Sequence, residues 1–225
     1  MTADLDTLLA AITARDTAQA TALLDADPAL ANACTPQGVS LVLWALYHGM
    51  PELAVAIAAR KTSLDIFESA ALGRVDLLQQ LLAAEPQSAR AQSADGFGAL
   101  GLAVFFGHLP SAAALLAAGA DANRAADNPM RVAPIHSACA RADEALACRL
   151  VHLLLAFGAD PNARQQAGWT PLHAAAHRNQ ARLIAVLLLG GADPSLRNEA
   201  GMSAIDLARN EGKAAALAAL AALVL

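Results

Sequence analysis

Three observations predict an all-α solenoid of about seven helix-turn-helix units with short hairpin fingers, curved around a concave face. The first is the stretch Gly168-Trp169-Thr170-Pro171-Leu172-His173-Ala174-Ala175-Ala176, in which a cap residue, a proline at the first helical position and a histidine at the third announce a sharply started helix. The second is a set of leucine pairs at fixed spacing: Leu154-Leu155 precede Leu187-Leu188 by 33 residues, and Leu81-Leu82 and Leu115-Leu116 stand 34 apart. The third is the punctuation after the last three pairs: Gly119-Ala120-Asp121-Ala122-Asn123, Gly158-Ala159-Asp160-Pro161-Asn162 and Gly191-Ala192-Asp193-Pro194-Ser195. Self-similarity at such a period marks an array in which each unit buries its apolar face only against its neighbours.

Taken in order, the first unit, about residues 2–34, has helices expected over Ala10 to Ala14 and Ala18 to Leu24 and serves as an amino-terminal cap. The second, 38–63, opens at Gly38-Val39-Ser40, but only 24 residues separate Gly49 from the equivalent Gly73, so it is shortened and lacks a finger. The third, 64–93, carries Val75, Leu78, Leu81 and Leu82 on its inner face. The fourth, 95–124, opens on Gly96-Phe97-Gly98-Ala99-Leu100-Gly101, and the fifth, 132–164, on Val132-Ala133-Pro134-Ile135-His136. A lengthened loop, 125–131, lies between them, and the fifth has four extra residues between His136 and Gly158 relative to the His173–Gly191 interval. The sixth is 168–198, its first helix ending near Asn179, which tolerates a left-handed backbone, and its second carrying Leu183, Ile184, Leu187 and Leu188. The seventh, 201–225, has Asp206 at the histidine position and closes on an Ala/Leu helix expected to act as the carboxy-terminal cap. The whole is expected to form one domain.

These openings and spacings resemble the ankyrin repeat family, whose unit of about 33 residues carries the signature T-P-L-H-x-A, and in particular the small ankyrin-only proteins of bacteria. Residues 170–175 match the signature fully, Ala133 replaces threonine in the fifth unit, and Gly98-Ala99-Leu100-Gly101 is degenerate in the fourth. The resemblance implies a protein-binding scaffold without enzymatic activity or cofactor.

The totals narrow the field further. Apolar residues make up 56% of 225, ample for a core. No apolar run approaches the roughly 20 residues of a bilayer helix, and the first six residues are acidic where a secretory signal is basic. The cysteines, Cys34, Cys139 and Cys148, lack C-x-x-C spacing, as expected for a protein of a reducing compartment, with the cytoplasm the default. Residues 1–112 hold five Lys/Arg against eleven Asp/Glu, and residues 113–225 ten against nine, so the halves carry −6 and +1. An acidic first half is a poor surface for a phosphate backbone, and no nucleic acid or membrane partner is expected.

A metal reading can be assembled from His173 and His177, four residues apart on one helical face, with His136 nearby. Against it, His136 and His173 hold the motif position where an imidazole satisfies backbone groups, and no H-E-x-x-H accompanies them. A thiol reading needs Cys139 or another cysteine beside a base, yet Cys139 falls on a slot normally filled by alanine. A metal- or thiol-dependent enzyme using His136, His173, His177 and Cys139 is the alternative to a binding module. No metal site is expected.

In ankyrin folds the outward positions of the concave surface are the residue before the T-P-L-H start and the two before the glycine ending the first helix. Here they hold Val39, Tyr47 and His48, then Phe97, Phe105 and Phe106, then Val132 and Arg141, then Trp169, His177 and Arg178. Five of the eight aromatics fall there, against which Trp44, Phe67 and Phe157 are assigned to packing. Trp, Tyr and Arg dominate binding hot spots, so this stripe, with Arg131 on the long loop, is the expected face for an unidentified protein partner. The competing reading has Phe105 and Trp169 folded onto neighbouring repeats. Two further alternatives stay open: the 125–131 loop either shapes the groove or is idle, and the tail Leu217, Leu220, Leu223, Val224 and Leu225 either caps the stack or self-associates. A monomer is expected.

Overall fold

The computed structural model describes residues 2–224, with side chains from 4 to 222. Leu225, and the side chains of Leu223 and Val224, therefore lie outside the described residues. Fourteen α-helices fall in seven antiparallel pairs: α1 (Thr2–Thr13) with α2 (Thr17–Ala26), α3 (Leu41–Tyr47) with α4 (Pro51–Arg60), α5 (Ile66–Ala71) with α6 (Val75–Ala84), α7 (Ala99–Phe106) with α8 (Leu109–Ala117), α9 (Pro134–Cys139) with α10 (Glu144–Ala156), α11 (Pro171–His177) with α12 (Ala181–Leu189), and α13 (Ala204–Asn210) with α14 (Ala214–Val224). From α3 onward the first helix of each pair is six to eight residues long and the second nine to thirteen. The short inner row is rich in buried alanine, among them Ala45, Ala70, Ala103, Ala138 and Ala175, which lets successive units approach closely.

Two expectations are corrected in detail. The first helix begins at Thr2 rather than at Ala10, because the Leu5, Leu8, Leu9 and Ile12 face packs against the units that follow. The four extra residues of the fifth unit are one added turn in α10, thirteen residues against nine in α12, which keeps Leu150 and Leu154 in phase with the core.

The sequence punctuation stitches units together. Asn123 donates from its side-chain amide to the Gly158 carbonyl at 2.8 Å and accepts from the Asp160 N–H at 2.7 Å; Asn162 repeats this toward Gly191 and Asp193 at 3.1 and 2.7 Å. The aspartates close the turns, each accepting from the N–H two residues on. Asn179 takes φ +58°, the left-handed conformation that Gly49, Gly73, Gly107 and Gly212 supply in units two, three, four and seven.

The finger bases pair as isolated antiparallel bridges at Cys34–Ser40, Gln92–Gly98 and Arg197–Ser203. The fingers are also joined to one another: Asp127 N–H to Gly96 C=O at 2.8 Å, Gln166 N–H to Met130 C=O at 3.1 Å, and Glu199 N–H to Ala167 C=O at 3.0 Å. Gly96 is required there, since at φ +82° an added Cβ would stand 2.5 Å from the Asp127 carbonyl oxygen. The 125–131 loop is thus part of the finger row and not an idle insertion.

No finger stands between the second and third units, and its place is taken by a buried ion pair. Lys61 Nζ lies 2.7 Å from Glu68 Oε1, with the Glu68 side chain 0% exposed. Glu68 also accepts from the Asp65 N–H while Asp65 accepts from the Glu68 N–H, a reciprocal cap that starts α5. In the outer row α6 packs on α8, α10 on α12 and α12 on α14, α8 meets α10 less closely, and α4 and α6 flank a cleft of about 440 Å³ lined by Ala58, Ala59, Leu64, Val75 and Leu77. The buried core divides at the same place. One cluster runs from Leu8 to Ile57, a second from Ile66 to Leu220, and a small third, of Val39, Leu43, Ala71 and Leu102, bridges units two to four on the inner side.

Candidate functional site

The inner face is built from the ends of the short helices and the bases of the fingers. Tyr47, at the end of α3, reaches across the gap left by the missing finger and donates from its hydroxyl to Asp95 at 2.7 Å. Burial, followed by the hydrogen bond and charge of Asp95, pushes its phenol pKa far up. Phe106 stacks on Tyr47 at 6.1 Å and Phe97 lies tilted at 6.5 Å, all three packed on the bridging cluster. These aromatics are therefore half-buried structural members, while Phe105, edge-on to Phe106 at 5.0 Å, remains 50% exposed.

Arg141 also turns inward. Its guanidinium donates to the Phe105 carbonyl at 2.5 Å and caps the end of α7, where a cation complements the helix dipole. The same stitching recurs at neighbouring junctions, with His108 on the Ala71 carbonyl at 3.0 Å and Gln180 donating to the Arg141 carbonyl at 2.8 Å. His48 is similarly occupied, its Nδ1 against the Trp44 carbonyl at 2.8 Å and its ring 4.4 Å from the indole.

What stays outward lies on units four to six. Phe105 is joined by Met130, 54% exposed, and by Arg131, held at φ +50° at the end of the long loop. Trp169 is half-buried beside a recess of about 230 Å³ that it lines with Met130, Gln165, Gln166 and Ala167. His177 meets the Trp169 ring edge-on at 5.7 Å and Glu211 of the next unit at 2.8 Å. Arg178 is exposed beside them, in a second recess shared with Glu144, His177 and Lys213. Val39 is buried and Val132 half-buried. Among the three aromatics assigned to packing, Trp44 and Phe67 do pack, but Phe157, the residue that ends α10, is 48% exposed.

The groups of the enzymatic alternative are engaged elsewhere. His173 Nδ1 accepts from the Thr170 N–H and hydroxyl at 3.3 and 2.8 Å while Nε2 faces the Met202 carbonyl at 2.9 Å, which sets the tautomer as neutral Nε2–H. His136 repeats the arrangement, with Nδ1 on the Ala133 N–H at 3.2 Å and Nε2 on the Ala163 carbonyl at 2.9 Å. Neither ring has a free nitrogen for a metal. Cys139 is fully buried, and that burial drives its thiol pKa far up, which disfavours the thiolate a nucleophile needs. Among the described residues, no group of three or more His, Cys, Asp or Glu is placed to hold a metal ion.

Burial also holds the pKa of His108, His136 and His173 below the ordinary value, against smaller opposing effects of their carbonyl partners. The unfolded chain would titrate these rings near the ordinary value of about 6.5. Below that pH it takes up protons the folded rings refuse, so their contribution is complete above about 6.5 and falls as the pH drops toward the depressed folded values. Melting temperature is expected to decline from about pH 7 to about pH 5, and less steeply in a His136→Gln/His173→Gln variant. The raised Asp65 pKa, due first to burial, acts in the opposite sense. Equal slopes for variant and parent would disprove the assignment.

Paired helices joined by capped turns and asparagine bridges define a helical-repeat scaffold. Residues 135–189 match the family model described as ankyrin repeats (many copies), and that match supports an ankyrin-repeat protein. Repeats of this kind generally mediate protein–protein interaction and are typically non-enzymatic. No curated protein matches the sequence. Among the described residues, no helix is long and apolar enough to cross a membrane.

Proposed function

We propose that the protein is a non-enzymatic interaction module that binds a partner protein on the inner face of its fourth to sixth units. The observation that carries this reading is the contiguous group of Met130, Trp169, His177 and Arg178, exposed or half-buried beside linked fingers, with Phe105 exposed at the end of α7. An apolar side chain of the partner would enter the Met130–Trp169 recess, and a neighbouring carboxylate would meet Arg178 or Arg131. Tyr47, His48, Phe97, Phe106 and Arg141 support the surface from below, since each already holds an intramolecular partner. The protein would act as a monomer in the cytoplasm. Burial of Ala216 and Leu220 of α14 in the continuous core favours a capping role over self-association.

The test compares affinity capture by the intact chain with capture by a Phe105→Ala/Trp169→Ala/Arg178→Ala variant, after melting curves establish that both are folded. Loss of about 100-fold or more in affinity is expected, because a few central aromatic and arginine side chains carry most of such an interface. Equal capture by both would move the site off this face.

A further inference from the structure

The fourth unit lacks the histidine that the fifth and sixth use, and a cavity stands in its place. Gly98-Ala99-Leu100-Gly101 aligns with Ala133-Pro134-Ile135-His136 and Thr170-Pro171-Leu172-His173, which puts Gly101 at the position of the two imidazoles. A Cβ built on Gly101 meets no atom within 4 Å, and a cavity of about 360 Å³ opens there, lined by Gly98, Leu100, Gly101, Pro134 and the side chains around Arg90 and Arg124. An apolar cavity of about 150 Å³ already takes benzene, so this one holds a five-membered ring with room for a substituent.

The backbone groups that grip the His136 ring have counterparts in the fourth unit, whereas the His173 ring turns its Nε2 to Met202, whose counterpart is Val132. In units five and six the backbone N–H of the cap residue donates to Nδ1. Its counterpart is Gly98, whose N–H takes no part in the finger hydrogen bond that runs from Ser93 N–H to Phe97 C=O. The carbonyl facing His136 Nε2 belongs to Ala163, five residues after Gly158, and its counterpart five residues after Gly119 is Arg124, a wall of the cavity. At the mouth, Arg90 Nε donates to the Gly119 carbonyl at 3.0 Å and Arg124 donates to the Gln92 side chain at 2.7 Å, leaving further donors on both guanidiniums. Asp121 is the opposing charge there, and its carboxylate is occupied by the Asn123 N–H at 2.8 Å.

We propose that this cavity is a ligand site for a neutral imidazole-type ring bearing an acidic substituent. The ring nitrogens would bond the Gly98 N–H and the Arg124 carbonyl, and the acid would face Arg90 and Arg124. The site lies apart from the Phe105–Trp169 surface and stands or falls independently of it.

The intact chain is titrated with imidazole-4-acetate at a pH well above the pKa of its ring, so that the ring is neutral, following amide NMR shifts. Saturable shifts centred on Gly98, Gly101 and Arg124 are expected. Cyclopentylacetate, with the same ring size and charge but without ring nitrogens, should bind about tenfold more weakly or worse, and imidazole without the acid likewise. Gly101→His should fill the cavity with the chain's own ring, raise the melting temperature and abolish binding. Should that variant misfold, Arg124→Gln, on the surface, should weaken binding of the acid about tenfold. Absence of saturable shifts, equal binding of cyclopentylacetate, or unchanged binding by folded Gly101→His or by Arg124→Gln would overturn the proposal. A Gly-His-Gly peptide separates the two sources of such a ring. Binding as tight as that of imidazole-4-acetate would assign the site to a histidine of a partner, and weaker binding to a free small molecule.

Discussion

Truncation of Leu150 to alanine is expected to lower the stability of units three to seven by about 2–5 kcal/mol, the range for removing a fully buried leucine from a packed core. Leu150 is 0% exposed at the centre of α10, within the cluster that runs from Ile66 to Leu220. The cluster from Leu8 to Ile57 is separate from it, joined through the small inner group and across the cleft between α4 and α6. In a linear array the coupling between neighbours decides how far a local loss spreads. The chain carries its own reporters, with Trp44 packed on the first core and Trp169 beside the second. Urea unfolding of Trp44→Phe and Trp169→Phe backgrounds, each with and without Leu150→Ala, should shift the Trp169 transition well beyond that of Trp44. Identical shifts would show that all seven units unfold as one and that the division between cores carries no energetic weight.

Lys61→Met is expected to cost about 3–5 kcal/mol, because it leaves the Glu68 carboxylate buried without its cation. The Asp65 N–H that Glu68 also accepts is a single neutral donor and replaces only part of the lost interaction. A Lys61→Met/Glu68→Gln double variant removes the charge while keeping an oxygen for that N–H, and should recover most of the loss. Denaturant titration of the single and double variants decides it, and a double variant no better than the single would mean that an uncompensated Glu68 charge is not the source of the loss. The pair is the local substitute for a finger. Its capping half was legible in the spacing of Asp65 and Glu68, which matches that of Thr170 and His173, but its partner Lys61 precedes the helix and shows no pattern.

The site was legible in part. Phe105, Trp169, His177 and Arg178 stand out in the sequence by their place in the repeat, and the structure leaves them on or near the surface. Tyr47, Phe106 and Arg141 occupy corresponding positions, yet the first two close over the junction of units two to four and the third caps a helix in the preceding unit. Phe157 failed in the opposite direction, taken for packing and found exposed.

The sequence by itself determined the repeat, the order and pairing of the helices from the second unit on, the caps and the finger missing after the shortened second unit. Those features rest on interactions within a few residues: leucine spacing on one helix face, Asp and Asn closing turns, Pro171 and His173 starting a helix. Only the tertiary structure decided which inner-face side chains remain free, where the core divides, and that Gly101 leaves a cavity. Each depends on what the neighbouring unit brings across a junction, whether the Asp95 carboxylate, a helix end in need of a cation, or an imidazole that is absent. That neighbour lies some 30 to 50 residues away along the chain, beyond the reach of any local pattern.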